Sequence, residues 1–432
     1  MKIAYCYINQ ESKSNFGALL LGAYFFLSIS YAHLPLATIH HSLGSAFNYV
    51  FLLIFLYCLL LGRGYVALNT REVNFISFIY TIIGAAWLMQ LYHVYILLGI
   101  DGNLRSLTSV ISSIASYLAL IIIISLAKKS NFTFVKMSQS VFWASVMLSL
   151  YLVVEIIGIR YSLEPFSSIV DIVSEYLNYR DEARQSSGRV RGFTNEPSYL
   201  AVVIIFLISV LLVDKSRSKI VNYLLVFCMV AISSAAVSKN LVVGLSIVLF
   251  IHALYFRRLL PFVIMVVAIL VFYFFYSVSQ IEGIQWQYDA YDVDFSTITR
   301  VGSWVAALTG FFDSPLIGNG FGLAGGLIAK YYPDWFYLSP EALDWESASV
   351  VFASPVFSYT FRIIFEMGAL GVIYIIGLFL FLIRISNNRS FLSHDNFLLM
   401  AGLFVSFLML DAMSFWPFYA ALAIKRDIED VR

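Results

Sequence analysis

Long apolar runs separated by short polar stretches dominate the chain. A membrane-spanning helix needs ~20 apolar residues in succession. Runs of that kind fall near 16–36, 46–62, 74–99, 107–127, 137–159, 197–213, 220–237, 241–256, 259–279 and 363–383. The stretch 397–424 is also apolar, but Asp411 and Trp416-Pro417 interrupt it. It reads as one long helix or as two short ones meeting near Asp411, and two are preferred. The pattern predicts an all-α polytopic membrane protein with about 11–12 transmembrane helices, built as a single integral membrane domain over 1–432.

The charges orient that threading. With the N-terminus on the cytoplasmic side, most of the 27 basic residues fall in short cytoplasmic segments, as at Arg63, Lys128, Lys129, Lys136, Lys215, Arg257 and Arg258. The C-terminal sequence Lys-Arg-Asp-Ile-Glu-Asp-Val-Arg also prefers the inside, which favours two helices in 397–424. Two long outer loops remain, about 160–196 and 280–357. Loops of such length in a compact protein carry function or are disordered, and neither has a disordered composition. Within the first, Ser167–Leu177 has the apolar period of an amphipathic helix lying on the membrane surface. The second is rich in aromatics, among them Trp304, Tyr331 and Trp335, and in carboxylates such as Asp289, Asp313 and Asp334. Aromatic plates with carboxylates suit a sugar, whose apolar C–H face stacks and whose hydroxyls donate hydrogen bonds. Interfacial anchoring by the same aromatics is the plainer alternative.

Composition narrows the class. The chain is 60% hydrophobic and 12% charged, too apolar for a soluble protein of 432 residues. A net charge of +1 gives no field for nucleic acid. Cys6, Cys58 and Cys228 are scattered, and the six histidines lack metal-ligand spacing, so neither a disulfide framework nor a metal site is expected. The N-terminus has no cleavable-signal layout, and the first apolar helix is expected to serve as an uncleaved anchor.

Chemistry concentrates in Arg189-Val-Arg-Gly-Phe-Thr-Asn-Glu-Pro-Ser-Tyr-Leu200. Pro197 suits the first turn of a helix and Asn195 an N-cap, which places Glu196 at the helix start beside Arg189 and Arg191. Arginines at a helix N-terminus form an anion site, and the natural anion at a membrane surface is a lipid phosphate or pyrophosphate. Glu196 could instead simply cap the helix and pair with Arg191. Lys239 lies between apolar runs, where a charge is functional or snorkels to the interface. Arg362 and Glu366, four apart, pair along a helix or reach the same anion. Glu155, near the outer end of its span, is a candidate partner for either arginine cluster. The run Gly318-Asn-Gly-Phe-Gly322 supplies tight turns, but no strand precedes it, which excludes a nucleotide loop.

In order along the chain, these motifs resemble a family. Arg-Gly-Phe-Thr-Asn-Glu-Pro-Ser (191–198) looks like the G-F-x-x-E-P-S signature of Wzy-type O-antigen and exopolysaccharide polymerases. The stretch Arg300…Trp304…Pro315-x-x-Gly318-x-Gly320 is similar to an R…W…P-x-x-G-x-G element shared by those polymerases and the O-antigen ligases. Ser233-Ser-Ala-Ala-Val-Ser-Lys-Asn240 resembles their S-x-S-R element, with Lys239 in place of arginine. Glu366-Met-Gly368 matches an E-x-G helix start, but the histidine that precedes it in the ligases is missing.

The resemblance implies a multi-pass protein of the bacterial inner membrane, with both long loops and the active site facing the periplasm. It implies a metal-independent, cofactor-free glycosyltransferase. Its substrate is an undecaprenyl-pyrophosphate-linked oligosaccharide, its surroundings membrane lipids, and a chain-length regulator protein an expected partner; nucleic acid is not. The growing polymer is transferred to a new lipid-linked unit with pyrophosphate as leaving group, inverting the anomeric centre if displacement is direct. Arg191 and Arg300 are expected to stabilise developing charge, with Arg189, Lys239 and Arg362 binding pyrophosphate. Glu196 is the expected general base, although pairing with Arg191 would make it a weak one. Trp304, Tyr331 and Trp335 are expected to contact glycan. An O-antigen ligase and a flippase without chemistry are the rival readings.

Overall fold

The structure, a computed structural model, describes residues 15–30, 46–60, 70–176, 190–194, 197–233, 239–255, 295–339, 342–343, 356–385 and 394–409, with 417 and 421. The described residues are mostly helical and contain no β-strand. Helix α1 covers 15–26 and closes in a 3-10 turn, Leu27–Ile29, and residues 31–36 of the first expected span lie outside the described residues. Helices α2 (Ala46–Leu60), α3 (Thr70–Lys129), α4 (Phe134–Tyr161) and α5 (Glu164–Tyr176) follow. After them come α6 (Pro197–Val213), α7 (Lys219–Ser233), α8 (Lys239–Tyr255) and α9 (Phe295–Asp313). The last three are α10 (Tyr359–Met367), α11 (Ala369–Ile385) and α12 (His394–Met409). The expected span 259–279 lies outside the described residues, as does nearly all of 410–424.

Helix α6 begins at Pro197, the residue whose fixed φ and missing N–H fit a first helical turn. It is apolar on every side, and Leu200 through Leu211 are fully buried. A helix of that kind is stable only when other helices surround it. Helices α4, α7, α8 and α12 all pack on it. Thr133 caps α4 by accepting a hydrogen bond from the Lys136 N–H at 3.4 Å. After α4, the left-handed residue Ser162 turns the chain into α5. Gly158 makes room there, since a Cβ would stand 3.1 Å from the Phe166 backbone. Val170 and Ser174, one turn apart, face inward, while Ile169 and Ile172 are exposed. The predicted amphipathic helix thus forms as α5, lying against α4.

Helix α3 joins two expected spans in one run of 60 residues, broken only at Gly99, where φ is 66° and ψ is −152°. At 1.5 Å per residue a straight helix of that length would reach about 90 Å, three bilayer cores. Its contacts show that it doubles back. Val94 touches Gly320 and Ser109 touches Gly322. Two loop residues apart are at most ~7 Å from each other, whereas a straight helix would separate Val94 and Ser109 by ~22 Å. Farther along, Phe78 packs on Gly377 and the Tyr117 hydroxyl hydrogen-bonds that of Tyr374, one turn away on α11. The two halves of α3 therefore flank α11 as a helical hairpin with Gly99 at its bend. Leu98 lies over Gly102, where any Cβ would overlap it.

Three helical stretches, Ser77–Ile96, Leu98–Lys129 and Phe134–Ile159, are long and apolar enough to cross a membrane. Their outward residues, including Leu88, Tyr92, Ile96, Trp143 and Leu150, are large, apolar and exposed. Such a surface suits lipid rather than water.

Candidate functional site

The arginine segment of the first loop is fixed through its backbone. Glu155, on α4 and fully buried, accepts the Arg191 N–H on Oε1 at 3.1 Å and the Gly192 N–H on Oε2 at 2.7 Å. A carboxylate is the strongest acceptor available for two adjacent amides in an apolar interior. Gly192 has φ of 62°, and Leu148, Leu152 and Leu200 close around it. Phe193 stacks on Tyr151 with centroids 4.3 Å apart. The Thr194 hydroxyl and N–H both donate to the Arg191 carbonyl, at 2.7 and 3.2 Å. The result is a tight turn that buries Arg191 just before α6. Glu155 is thus a partner of the first arginine segment. Arg189, Asn195 and Glu196 lie outside the described residues, and Lys239 is described only as the first residue of α8.

The second site is an interlock between the glycine run and the end of α10. After α9, the chain turns at Ser314–Gly318, and the Gly318 N–H donates to the Ser314 carbonyl at 2.9 Å. The Asn319 N–H then donates to the Phe365 carbonyl at 3.0 Å, and the Gly320 N–H to the Glu366 carbonyl at 3.1 Å. The Ala369 N–H returns a bond to the Pro315 carbonyl at 2.8 Å. Gly318 and Gly368 both have positive φ, 77° and 58°, and sit backbone to backbone. A Cβ on Gly318 would overlap the Glu366 carbonyl, and one on Gly368 would stand 2.7 Å from the Gly318 nitrogen. Glycine is required at both positions by backbone angle and by space. The Pro315-x-x-Gly318-x-Gly320 and Glu366-x-Gly368 elements, separate in sequence, are two halves of one joint.

Gln90 on α3 locks that joint. Its Nε2 donates to the carbonyls of Ile317 at 2.5 Å and Glu366 at 2.6 Å, and its Oε1 accepts the Phe321 N–H at 2.7 Å. The amide is fully buried, and both its ends are used. Glu366 is buried as well. Its Oε1 accepts Nε–H of Arg362 at 2.9 Å and the Ala324 N–H at 3.2 Å. Arg362 and Glu366 form the expected ion pair along the helix.

Helix α9 lies against α10 and carries two expected site residues. The Arg300 guanidinium sits 4.8 Å over the ring of Phe357, a cation–π contact. Trp304, one turn on, stacks on Phe361 with centroids 5.5 Å apart. Arg300 and Trp304 thus share the α9–α10 seam, while Arg362, next to Phe361 on α10, pairs with Glu366 one turn on. Tyr331 donates to Asp313 Oδ2 at 2.7 Å and to Asn319 Oδ1 at 3.3 Å. Burial first, then the bond to Asp313, pushes its phenol up to about 12. Trp335 belongs to a 3-10 turn, Asp334–Leu338, beside the stacked rings of Tyr332 and Phe336, 3.7 Å apart. A small core of Val94, Ala306, Leu323, Leu327 and Phe365 underlies this region, so the described part of the second loop is folded.

The structure groups Arg300 and Trp304 at the α9–α10 seam, sets Tyr331 against Gly310 and Phe365 of the same two helices, pairs Arg362 with Glu366, and builds Arg191 into a separate turn with Glu155. Gln90 is the site residue that the sequence pattern does not point to. A lone amide inside the apolar run 83–98 was the available sign of Gln90, because a buried amide requires specific partners.

The fold and site define an all-helical protein with helices long and apolar enough to cross a membrane. No family model matches the chain, and no curated protein matches its sequence.

Proposed function

We propose that the chain polymerises undecaprenyl-pyrophosphate-linked oligosaccharide repeat units at the periplasmic face of the bacterial inner membrane. The observation that carries this reading is the joint between the glycine run and Glu366-x-Gly368. It fixes the end of α10, the helix that carries the Arg362–Glu366 pair and whose Phe361 stacks on Trp304, one turn from Arg300 on α9. Guanidiniums beside an aromatic plate suit a substrate that is a phosphate ester at one end and a sugar at the other. The Glu155 clamp supports the same reading by fixing the Arg191 turn.

In the reaction, a hydroxyl oxygen of the new unit's terminal sugar bonds to the anomeric carbon of the growing chain. The bond from that carbon to the pyrophosphate oxygen breaks, and the hydroxyl proton passes to a base. Undecaprenyl pyrophosphate leaves with the electron pair. Its developing charge is what Arg191 and Arg300 stabilise, with Arg189, Lys239 and Arg362 holding the pyrophosphate. Glu196 is the base in this scheme. Trp304, Tyr331 and Trp335 meet the glycan. The chain acts as a metal-independent glycosyltransferase.

The test is the surface-glycan gel profile of a deletion strain. A polymerase loss leaves single repeat units attached to the acceptor. Absence of that single-unit band sinks the reading: no glycan at all points to a flippase, and polymer retained on the carrier lipid to a ligase. In complementation, Arg191→Ala and Arg300→Ala are expected to abolish polymer. Full polymerisation by Glu196→Gln would remove Glu196 as the base.

A further inference from the structure

Helix α9 distributes its side chains in the reverse of the order expected in water. The face it turns to α10 and to the 3-10 turn Asp334–Leu338 is built of small residues. Gly302 lies against Phe336 and Gly310 against Phe365, with Ser303, Ala306 and Ala307 buried between them. The large apolar residues Val301, Val305, Leu308 and Phe312 recur every three or four positions along the opposite face, and all are exposed, Phe312 at 73%. A helix on an aqueous surface buries its large apolar residues and shows charge outside. None of residues 301–312 is charged. Small residues toward the protein and large apolar ones away from it are the arrangement of a helix whose solvent is lipid.

The charges at the two ends of α9 are turned off this stripe. The Arg300 guanidinium lies over Phe357 in the seam with α10. Asp313 falls on the same side of the helix as Gly302 and Ala306, and its Oδ2 accepts the Tyr331 hydroxyl. The apolar stripe therefore continues into the turn after α9, where Leu316 is 73% exposed and Ile317 is exposed beside it.

The position of α9 fixes what the stripe meets. Ala306 and Ala307 share a small core with Val94 of the apolar stretch Ser77–Ile96 on α3. One turn deeper, Gln90 donates to the Ile317 carbonyl. Gln90 lies six residues, ~9 Å, inside the end of that stretch. The Pro315 carbonyl is bonded to Ala369, the first residue of α11. Exposed apolar residues line both neighbours at this level and below it, Leu88 and Tyr92 on α3 and Ile373 and Ile376 on α11. The stripe thus extends an apolar surface that already suits lipid. At 1.5 Å per residue, 301–312 reach about 18 Å, too short to cross a ~30 Å core.

We infer that α9 and the turn at Leu316 are sunk into one leaflet of the bilayer, with Val301, Val305, Leu308, Phe312, Leu316 and Ile317 against lipid acyl chains. A segment that the sequence pattern assigns to an aqueous loop is then an interfacial helix. It holds the α9–α10 seam, with Arg300 and Trp304, at the lipid surface. No catalytic role for that seam is needed. Failure here leaves the polymerase reading untouched, and the gel profile of the deletion strain leaves this surface untouched.

The experiment uses the full chain in phosphatidylcholine nanodiscs in which part of the lipid carries a diazirine along one acyl chain. After irradiation, mass spectrometry of the wild-type protein is expected to find carbene adducts within 301–317. Their level should match that of 88–96 on α3 and exceed that of the polar turn 130–133 several-fold. Adducts on 88–96 without adducts on 301–317 overturn the inference. A second measurement identifies what covers the stripe. A nitroxide is attached at Phe312→Cys or Leu316→Cys in a chain carrying Cys6→Ala, Cys58→Ala and Cys228→Ala. Its relaxation by oxygen is expected to exceed that by a water-soluble nickel chelate several-fold, as at Leu88→Cys and unlike Lys136→Cys. Stronger relaxation by the chelate places the stripe in water. Protection from both reagents places protein over it, a second copy where labels broaden one another and a segment of the same chain where they do not. Each of these three results overturns the inference.

Discussion

Replacing Gln90 by leucine tests whether the joint is held by hydrogen bonding or by apolar packing alone. The side chains are similar in size, so the change removes polarity with little change in volume. Three bonds go at once, to the Ile317 carbonyl, the Glu366 carbonyl and the Phe321 N–H. The Glu366 carbonyl keeps the Gly320 N–H as donor. That leaves the Ile317 carbonyl and the Phe321 N–H to find new partners. An unsatisfied buried polar group costs about 1–3 kcal/mol, so the loss is ~2–6 kcal/mol. Thermal unfolding in detergent should show a clear fall for Gln90→Leu, while the lipid-facing control Met89→Leu should leave the midpoint near wild type. Hydrogen exchange should localise the effect, with amides of 317–323 losing protection before those of α6. A stability loss under about 0.5 kcal/mol with unchanged exchange at 317–323 would refute the reasoning, because surface-like substitutions fall in that range.

Other outcomes follow from the same geometry. Glu155→Gln sets an amide nitrogen where one carboxylate oxygen accepts an N–H, so the Arg191 turn should lose ~1–3 kcal/mol, seen as faster proteolysis or exchange at 190–194. Gly318→Ala combines left-handed backbone strain of ~1–2 kcal/mol with overlap on the Glu366 carbonyl, and should lower the unfolding temperature more than Gly84→Ala, where a Cβ meets open space. The Tyr331 phenol is raised from 10.0 to about 12. Its bond to Asp313 should therefore stabilise fully below about pH 10 and fade as pH rises through about 12. The stability gap between wild type and Tyr331→Phe, followed from pH 7 upward, should be flat and then close; a gap that changes below about pH 9 contradicts this assignment.

The sequence by itself determined the elements. Apolar runs of helical length announced most of the described helices, because a backbone in lipid must satisfy its own hydrogen bonds and helices do so locally. Pro197 set the start of α6, and Ser167–Leu177 announced the amphipathic α5, since both signals reside in neighbouring residues. The expected site residues Arg191, Arg300, Trp304, Tyr331, Trp335 and Arg362 were legible as charges and aromatics outside apolar runs. The arrangement was not legible. That Gly99 folds 60 helical residues into a hairpin follows only from what its two halves touch. Gln90 became meaningful only when Ile317, Phe321 and Glu366, more than two hundred residues away, supplied its partners. Glycine at 318 and 368 was readable as turn chemistry, but the closeness of the two backbones was not. Local sequence dictates where a helix starts, stops and shows its apolar face. Which buried polar groups meet depends on long-range packing, and that only the tertiary structure decided.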